Sequence, residues 1–288
     1  MEGYYWRFAG DGWSVAAICG LCRDAHGASW AMVTLAAEPG GFARTEVFDG
    51  AWGDPAGLGV AAGGLRADAH GLDVDLGPDA RLHARFSGLR EWPRRAWGAL
   101  GPAHLVPGLG QYWSPHLLGA RVTGEALGRS LDGCTVYAEK NWGAAFAAHW
   151  WWGQASFGAD AGVAFAGGRV HGVAPTAVVV WSPRGLVRLA PPLARVVAGA
   201  GGGEWRIRAR TPLTWVDVEG SVSGPGLRLP VPLPESRALE VRSSHHLLGR
   251  LRVSVRRGRG FWLREESSVA ALEDGRHRPG GSGELPAG

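Results

Sequence analysis

The stretch Tyr137-Ala-Glu-Lys-Asn-Trp-Gly143, followed by Phe146 and by His149-Trp-Trp-Trp-Gly-Gln154, carries most of the information in this sequence. Lys140 is the single lysine and Asn141 the single asparagine among 288 residues, and all other Lys or Arg positions are arginines. Because a compact ammonium and a planar guanidinium are not interchangeable, a lone lysine beside a lone asparagine indicates a specific role. Both lie next to the densest aromatic run of the chain, which indicates a binding or catalytic segment.

Both halves of this stretch are short and rich in aromatic residues, which predicts β-strands. Alternate side chains of a strand point to opposite faces of its sheet. The expected faces are Tyr137, Glu139 and Asn141 against Lys140 and Trp142 in the first strand, and Trp150, Trp152 and Gln154 against His149 and Trp151 in the second. We therefore expect the two strands to face each other across a mostly apolar ligand site with a few polar groups. The other interpretation is a Glu–Lys pair and a tryptophan core plug beneath a tight turn.

The rest of the chain follows the same rhythm of short alternating segments separated by Gly, Pro or Asp, which predicts an all-β, antiparallel fold with less than about a fifth helix. The clearest segments are Trp13–Gly20, Ser29–Ala36, Arg81–Phe86, Thr135–Trp142, Thr176–Trp181, Glu204–Arg210 and Leu213–Glu219. Arg257–Gly260 predicts a hairpin turn between two long strands. Glu91–Gly110 is rich in Pro, Trp and Gly and is interpreted as a long connection that acts as a lid.

Charge and cysteine content exclude several classes of protein. The net charge is only +4, and the arginine clusters at Arg94-Arg95 and Arg250–Arg259 are short, so they predict a solvated surface and no nucleic-acid partner. Cys19-Gly-Leu-Cys22 has the spacing of a metal knuckle, but the two thiols fall on opposite faces of a predicted strand and no second pair completes four ligands. We expect no metal and no cofactor.

The cellular setting follows from what the sequence lacks. No basic and apolar leader is visible at Met1, and no apolar run reaches the ~18 residues of a spanning helix. Three cysteines suit a reducing compartment. We therefore expect a cytoplasmic protein, with peripheral membrane contact and oligomeric state left open.

At the central stretch the chain resembles the tocopherol cyclase family. The resemblance rests on Glu139-Lys-Asn-Trp-Gly143, Phe146 and Trp150-Trp-Trp-Gly-Gln154, and extends to Gly3-Tyr-Tyr-Trp6, Trp181-Ser-Pro-Arg-Gly185 and Glu266-Ser-Ser-Val-Ala-Ala271. It implies a lipocalin-like fold of antiparallel β-barrels in two halves, which we place at 1–128 and 129–272, with a disordered tail over 273–288. The chain departs from the family pattern at Ala147-Ala-His149 and at Ala155, which leaves the exact substrate open.

The resemblance also implies a reaction, the closure of a prenylated hydroquinone to a chromanol without a cofactor. This chemistry needs a carboxylic acid that stays protonated in an apolar site, aromatic faces beside a carbocation, and an acceptor for the phenol proton. Glu139 is the first candidate for the acid, with Asp132 and Glu266 as alternatives. The remaining candidates are Asn141 and Lys140 as further catalytic groups, His149 as proton acceptor, and Tyr137, Trp142, Phe146, Trp150, Trp152 and Gln154 as substrate-binding residues.

Three functions are compatible with these residues. The first is a tocopherol cyclase-like isomerase acting on a prenyl lipid. The second is a non-catalytic carrier of prenyl quinones or other isoprenoids, and the third is an enzyme that hydrates or otherwise cyclises an isoprenoid. A fold alone does not decide among them.

Overall fold

The computed structural model describes residues 1–93, 98–102, 110–144, 146–170 and 172–276. The described residues contain no α-helix, and every strand pairing is antiparallel. The prediction of an all-β antiparallel fold is confirmed. Most of the connection interpreted as a lid falls at 94–97 and 103–109, which lie outside the described residues, as do 277–288 of the expected tail.

The chain forms a nearly unbroken succession of strands. They are β1 (Glu2–Gly10), β2 (Trp13–Arg23), β3 (Ser29–Glu38), β4 (Phe42–Asp49), β5 (Trp52–Gly53), β6 (Val60–Ala62), β7 (Leu65–Ala67), β8 (Gly71–Asp75), β9 (Arg81–Glu91), β10 (Gln111–Ala126), β11 (Arg129–Ser130), β12 (Thr135–Gly143), β13 (His149–Phe157), β14 (Ala161–Gly168), β15 (Thr176–Ser182), β16 (Gly185–Leu189), β17 (Arg195–Gly201), β18 (Glu204–Arg210), β19 (Thr214–Ser221), β20 (Pro230–Leu233), β21 (Ala238–Val241), β22 (Ser243–Arg257) and β23 (Gly260–Arg276).

The first sheet is a half-barrel built from β1 to β12. Its strand order is β4-β3-β2-β1-β12-β10-β9-β8-β7-β6-β5, with β11 paired to β10. The concave face holds an apolar core of alternating side chains, to which Tyr4, Trp6 and Phe8 of β1 contribute. Because a strand alternates, the neighbouring residue Tyr5 points to the outer face of this sheet.

The second sheet is a nearly closed barrel with the order β16-β15-β14-β13-β23-β22-β19-β18-β17. β15 and β17 approach each other where the barrel nearly closes. Its interior core includes Trp151, Phe165 and Trp205. The separate hairpin of β20 and β21 lies against the first sheet, where Trp30 Nε1 donates a hydrogen bond of 3.0 Å to the carbonyl of Pro234.

A third apolar layer lies between the two sheets, and it decides where the functional site lies. Tyr5 and Tyr137 reach it from the first sheet, and Trp152 and Leu247 reach it from the second. Arg7 is fully buried in the same layer and donates to Gln154 Oε1 at 2.8 Å. The two sheets are therefore joined by a shared core instead of a solvated linker.

The change from one sheet to the other differs from the predicted division at 128/129. β12 belongs to the first sheet because it pairs with both β1 and β10, so the second sheet begins at His149. At the other end, β23 continues through residues 273–276 of the expected tail because those residues pair with β13 and β22. The local sequence pattern predicts each strand but does not show which distant strand pairs with it.

Two smaller expectations concern cysteines and the membrane. Cys19 lies in the core of the half-barrel and Cys22 packs on the opposite face with Trp30, as the strand pattern predicts. In the described ranges no group of three or more His, Cys, Asp and Glu side chains is placed to hold a metal ion. A search of the same residues finds no helix long and apolar enough to cross a membrane.

Candidate functional site

A large cavity lies between the two sheets, with an empty volume of about 1320 Å³ counted together with the solvent at its mouth. Its walls come from both halves of the chain. The first sheet contributes Tyr5, Trp113, Glu139 and Asn141, and the second contributes Trp150, Trp152, His245 and Glu273, among others. The cavity combines aromatic walls with a few charged groups, as small-molecule sites do.

Glu139 is a buried carboxylate on the wall of this cavity, with only 4% of the residue exposed. Three donors converge on its Oε2 atom: Trp113 Nε1 at 2.7 Å, Tyr137 Oη at 2.7 Å and Trp152 Nε1 at 2.9 Å. Tyr137 is itself fixed by stacking on Trp181, with ring centroids 5.9 Å apart. Since Oε2 is saturated with donors, a proton on the neutral acid resides on Oε1.

Burial raises the pKa of the Glu139 carboxyl to about 7, because desolvation penalises the charged form. The hydrogen bonds from Tyr137, Trp113 and Trp152 oppose this effect by stabilising the carboxylate. The negative charge of Glu273 raises the pKa further. The Glu139 carboxyl is therefore neutral below about pH 7, and its carboxylate form is stabilised by three hydrogen bonds.

A second carboxylate, Glu273, lies in the same cavity within a chain of polar groups. His245 Nδ1 lies 3.5 Å from Glu273 Oε2, and His245 Nε2 lies 3.3 Å from the hydroxyl of Tyr5. Trp150 Nε1 donates to the other oxygen of Glu273 at 3.1 Å. Because Glu273 faces Nδ1, the neutral imidazole carries its proton there and keeps Nε2 as the acceptor.

The pKa values of the two carboxyl groups in the cavity are shifted in opposite directions. Burial alone would raise the pKa of Glu273, but hydrogen bonds and charge from His245, with further bonds from Trp150 and Ser243, hold it below its usual value. Glu139 accepts its hydrogen bonds from Tyr137, Trp113 and Trp152 and none from a histidine, and its pKa is raised. Titratable groups whose environments separate their pKa values are the usual arrangement of an acid and a base in one site.

Close packing around Trp150 sets the shape of the cavity wall. Gly275, paired with Trp150 across β13 and β23, leaves room for the indole, since a Cβ there would lie 1.9 Å from the ring. Phe146 packs on the same indole with centroids 5.0 Å apart. Asn141 lines the cavity on the opposite side, and Gln111 Nε2 lies 3.4 Å from its Oδ1.

Five of the predicted site residues line the cavity: Glu139, Asn141, Phe146, Trp150 and Trp152. Tyr137 lies behind the wall and reaches the site through its hydrogen bond to Glu139. The predicted strands therefore face each other, and Trp152 contacts Glu139 directly.

Three other predicted residues lie outside the cavity walls. Lys140 points into the half-barrel, where its Nζ lies 2.9 Å from Glu2 Oε2 and donates to the carbonyl of Asp54 at 2.8 Å. Trp142 lies on that same opposite face of the strand and stacks on Tyr112. Gln154 is buried between the sheets with its amide engaged by Arg7 and Ser156.

The alternative acids and the alternative proton acceptor also lie elsewhere. Asp132 occupies an exposed turn, and Glu266 is exposed on β23, where it pairs with Arg250 and Arg252. His149 pairs with Asp274 at 2.7 Å and is not among the residues that line the cavity. None of these three side chains is placed to act with Glu139.

Comparisons with known proteins identify the family. A family model described as tocopherol cyclase-like matches residues 125–276. The chain belongs to the tocopherol cyclase-like family. The matched region contains Glu139, Trp152, His245 and Glu273, whereas Tyr5 and Trp113 lie before it. No curated protein matches this member of the family in sequence.

Among solved structures, a protein of Nitrosomonas europaea described as a candidate AttH is 11% identical to this tocopherol cyclase-like chain. The superposition covers 95% of this chain and 91% of that one with a TM-score of 0.45.

Four cavity residues of this tocopherol cyclase-like protein were missed from the sequence: Tyr5, Trp113, His245 and Glu273. Local signals for them are weak, since Trp113 lies just after a Pro- and Gly-rich connection and Glu273 was assigned to the tail. Only the pairing of β1 and β10 with β12, of β23 with β13 and of β22 with β23 brings these side chains to Glu139.

Proposed function

We propose that this protein cyclises a prenylated hydroquinone to a chromanol, with Glu139 as the acid that starts the reaction. The observation that supports this best is a neutral carboxylic acid with a pKa of about 7 on the wall of an aromatic cavity. An acid whose pKa lies near the working pH combines the correct protonation state with a useful driving force for proton transfer.

The first step moves one proton from Glu139 Oε1 to the CH carbon of the trisubstituted alkene nearest the ring. The alkene π electrons form the new C–H bond, and the other alkene carbon becomes a tertiary cation. The carboxylate left behind is stabilised by the three donors on Oε2. These bonds strengthen as charge develops, so they favour the transition state over the bound substrate.

The cation is formed beside aromatic rings instead of water. Trp152 and Tyr5 stand edge to face with centroids 4.9 Å apart, and Trp150 and Phe146 extend the same wall. An aromatic face near a cation contributes on the order of 0.5–2 kcal/mol. Exclusion of water matters equally, because water would trap the cation as an alcohol.

The second step closes the ring when the phenol oxygen attacks the cation and its O–H bond breaks. His245 Nε2 is the proposed acceptor of that proton, either directly or through the hydroxyl of Tyr5 at 3.3 Å. Glu273 holds the imidazole and stabilises it when protonated. One proton leaves Glu139 and one arrives at His245, so the reaction is an isomerisation and solvent at the cavity mouth resets both groups.

The remainder of the cavity suits an isoprenoid tail. Ile18, Gly20 and Met32 of the first sheet face Leu229 and Val231 near the β20 hairpin. These side chains carry no charge, so a long apolar chain gains from burial there. Lipid binding alone would also suit a carrier, which is why Glu139 carries the argument for an enzyme.

The experiment is incubation of the purified protein with a panel of prenylated hydroquinones under anaerobic conditions, followed by mass analysis of the products. A product of unchanged mass that has lost one phenolic O–H and the alkene supports cyclisation. A product heavier by one water indicates hydration instead. Unchanged substrate that co-purifies with the protein indicates a carrier. The matched control is the corresponding quinone, which has no phenol to close the ring.

A further inference from the structure

A row of arginines and aromatic rings crosses the outer face of the second barrel at one end. The cross-strand register places Arg195 beside Arg210, Arg210 beside Trp215, Trp215 beside Arg256, and Arg256 beside Phe261. Five neighbouring strands, β17, β18, β19, β22 and β23, therefore present three arginines and two aromatic rings in a line. We call this row, together with Leu213, Arg257, Arg259 and Arg264, the rim patch.

The apolar members of the rim patch are unusually exposed. Leu213 is 74% exposed, and Trp215 and Phe261 are each 51% exposed. Leu213 lies at the tip of the turn before β19, and its carbonyl accepts a hydrogen bond from Gly258 N in the tip of the next hairpin. Two adjacent hairpin tips thus project large apolar side chains into solvent, which marks an interaction site more often than a neutral surface.

The arginines of the rim patch are free of carboxylate partners within the described residues. Arg256 and Arg264 lie over the ring of Phe261, at 4.6 Å and 5.9 Å from its centroid. Two of the acidic residues nearby are already engaged, since Asp217 pairs with Arg208 and Glu266 pairs with Arg250 and Arg252. Six cations consequently surround three exposed apolar side chains with little neutralisation.

We propose that the rim patch docks the protein on the surface of an anionic lipid bilayer. Apolar side chains that project from hairpin tips enter the boundary between headgroups and acyl chains, and the surrounding arginines meet anionic headgroups. The positive charge of the rim patch would also suit a nucleic acid. However, Leu213 offers bases neither a ring to stack on nor a hydrogen bond, whereas a bilayer accepts it directly.

This inference does not depend on the proposed cyclisation. The rim patch lies at the end of β22 and β23 marked by Arg257 and Gly260, whereas His245 and Glu273 lie near the other end of the same strands. Changes in the patch therefore leave the cavity walls untouched. Docking would hold the protein where a water-insoluble substrate resides.

The test is flotation of the full chain with vesicles of phosphatidylcholine, with or without phosphatidylglycerol. Wild type should bind the anionic vesicles and should not bind the neutral ones. High salt should release it from the anionic vesicles, because screening weakens surface charge interactions. A variant with Arg256→Gln, Arg257→Gln and Arg259→Gln should bind at least about tenfold more weakly. A second variant with Leu213→Ser, Trp215→Ser and Phe261→Ser should show a similar loss.

The matched control removes three arginines from the same barrel outside the patch, as Arg206→Gln, Arg208→Gln and Arg252→Gln. Each of these arginines already pairs with a carboxylate, so this variant should bind vesicles nearly as well as wild type. The proposal is overturned if wild type ignores anionic vesicles, or if the control loses as much binding as the patch variants. It is also overturned if single-stranded RNA displaces the protein from vesicles at equal phosphate concentration.

Discussion

Trp152 Nε1 donates a hydrogen bond of 2.9 Å to Oε2 of Glu139, and the two residues belong to different sheets. The bond joins the half-barrel to the nearly closed barrel at the wall of the cavity. Trp113 and Tyr137 supply the other two donors from the first sheet. The raised pKa of Glu139 is therefore a property of the assembled pair of sheets, because neither half alone buries this carboxyl.

Replacing the acid separates catalysis from binding. Glu139→Gln keeps the shape of the side chain but carries no transferable proton, so turnover should fall by at least about 100-fold. Lipid binding should stay within a few-fold, measured by equilibrium dialysis with a labelled hydroquinone. Glu266→Gln, an exposed carboxylate on the same protein, is the control and should remain active. An active Glu139→Gln variant would remove Glu139 from its proposed role.

The same carboxyl makes stability depend on pH in a defined direction. The folded state holds the Glu139 proton up to about pH 7, whereas an unfolded glutamate releases it near its ordinary pKa of about 4.3. The folded state binds more protons between these values, so this contribution is complete below about pH 4 and is lost as pH rises through about 7. The loss amounts to roughly 3–4 kcal/mol.

The measurement is the free energy of unfolding in urea at several pH values, for wild type and for Glu139→Gln. The difference between the two proteins should change between about pH 4 and pH 7, and wild type should have lost the most stability at the alkaline end of that range. Parallel curves would contradict the raised pKa.

The charge of Glu273 should be detectable in the pH dependence of the reaction rate, because it affects the pKa of Glu139. The charge of Glu273 raises the pKa of Glu139, so Glu273→Gln should lower that pKa and move the alkaline limb of the rate profile to lower pH. Turnover should also fall, since His245 loses the group that holds it. The control is Asp274→Asn, the next residue, which pairs with His149 away from the cavity. An unshifted limb in Glu273→Gln argues against the coupling.

Lys140 should matter for stability and leave turnover of the folded protein unchanged. Its side chain is 3% exposed and its ammonium pairs with Glu2, whose side chain is 34% exposed. Lys140→Met should lower the free energy of unfolding by about 1–3 kcal/mol, less than for a fully buried pair because solvent can reach Glu2. Urea titration gives this value, and kcat on solubilised substrate provides the comparison. A selective loss of kcat with unchanged stability would restore a catalytic role.

The sequence carries the alternation of each strand but not its partners. Glu139 and Lys140 were correctly assigned to opposite faces because the period of a strand is two. Which face borders the cavity depends on β1 and β10 flanking β12, a pairing between segments more than a hundred residues apart in the case of β1. For the same reason Glu273 escaped notice, since its polar, glycine-rich neighbourhood resembles a tail until β13 and β22 pair with it.

The most direct measurement of the central claim is cyclisation in deuterium oxide. If Glu139, exchanged with solvent, protonates the alkene, the chromanol formed must carry one deuterium on the ring carbon that was the alkene CH. Mass spectrometry and NMR after back-exchange of the hydroxyl groups detect this label. The account predicts a single, position-specific deuterium in the wild-type product and no product from Glu139→Gln. A chromanol without deuterium at that carbon, or substrate recovered unchanged from wild type, would contradict it.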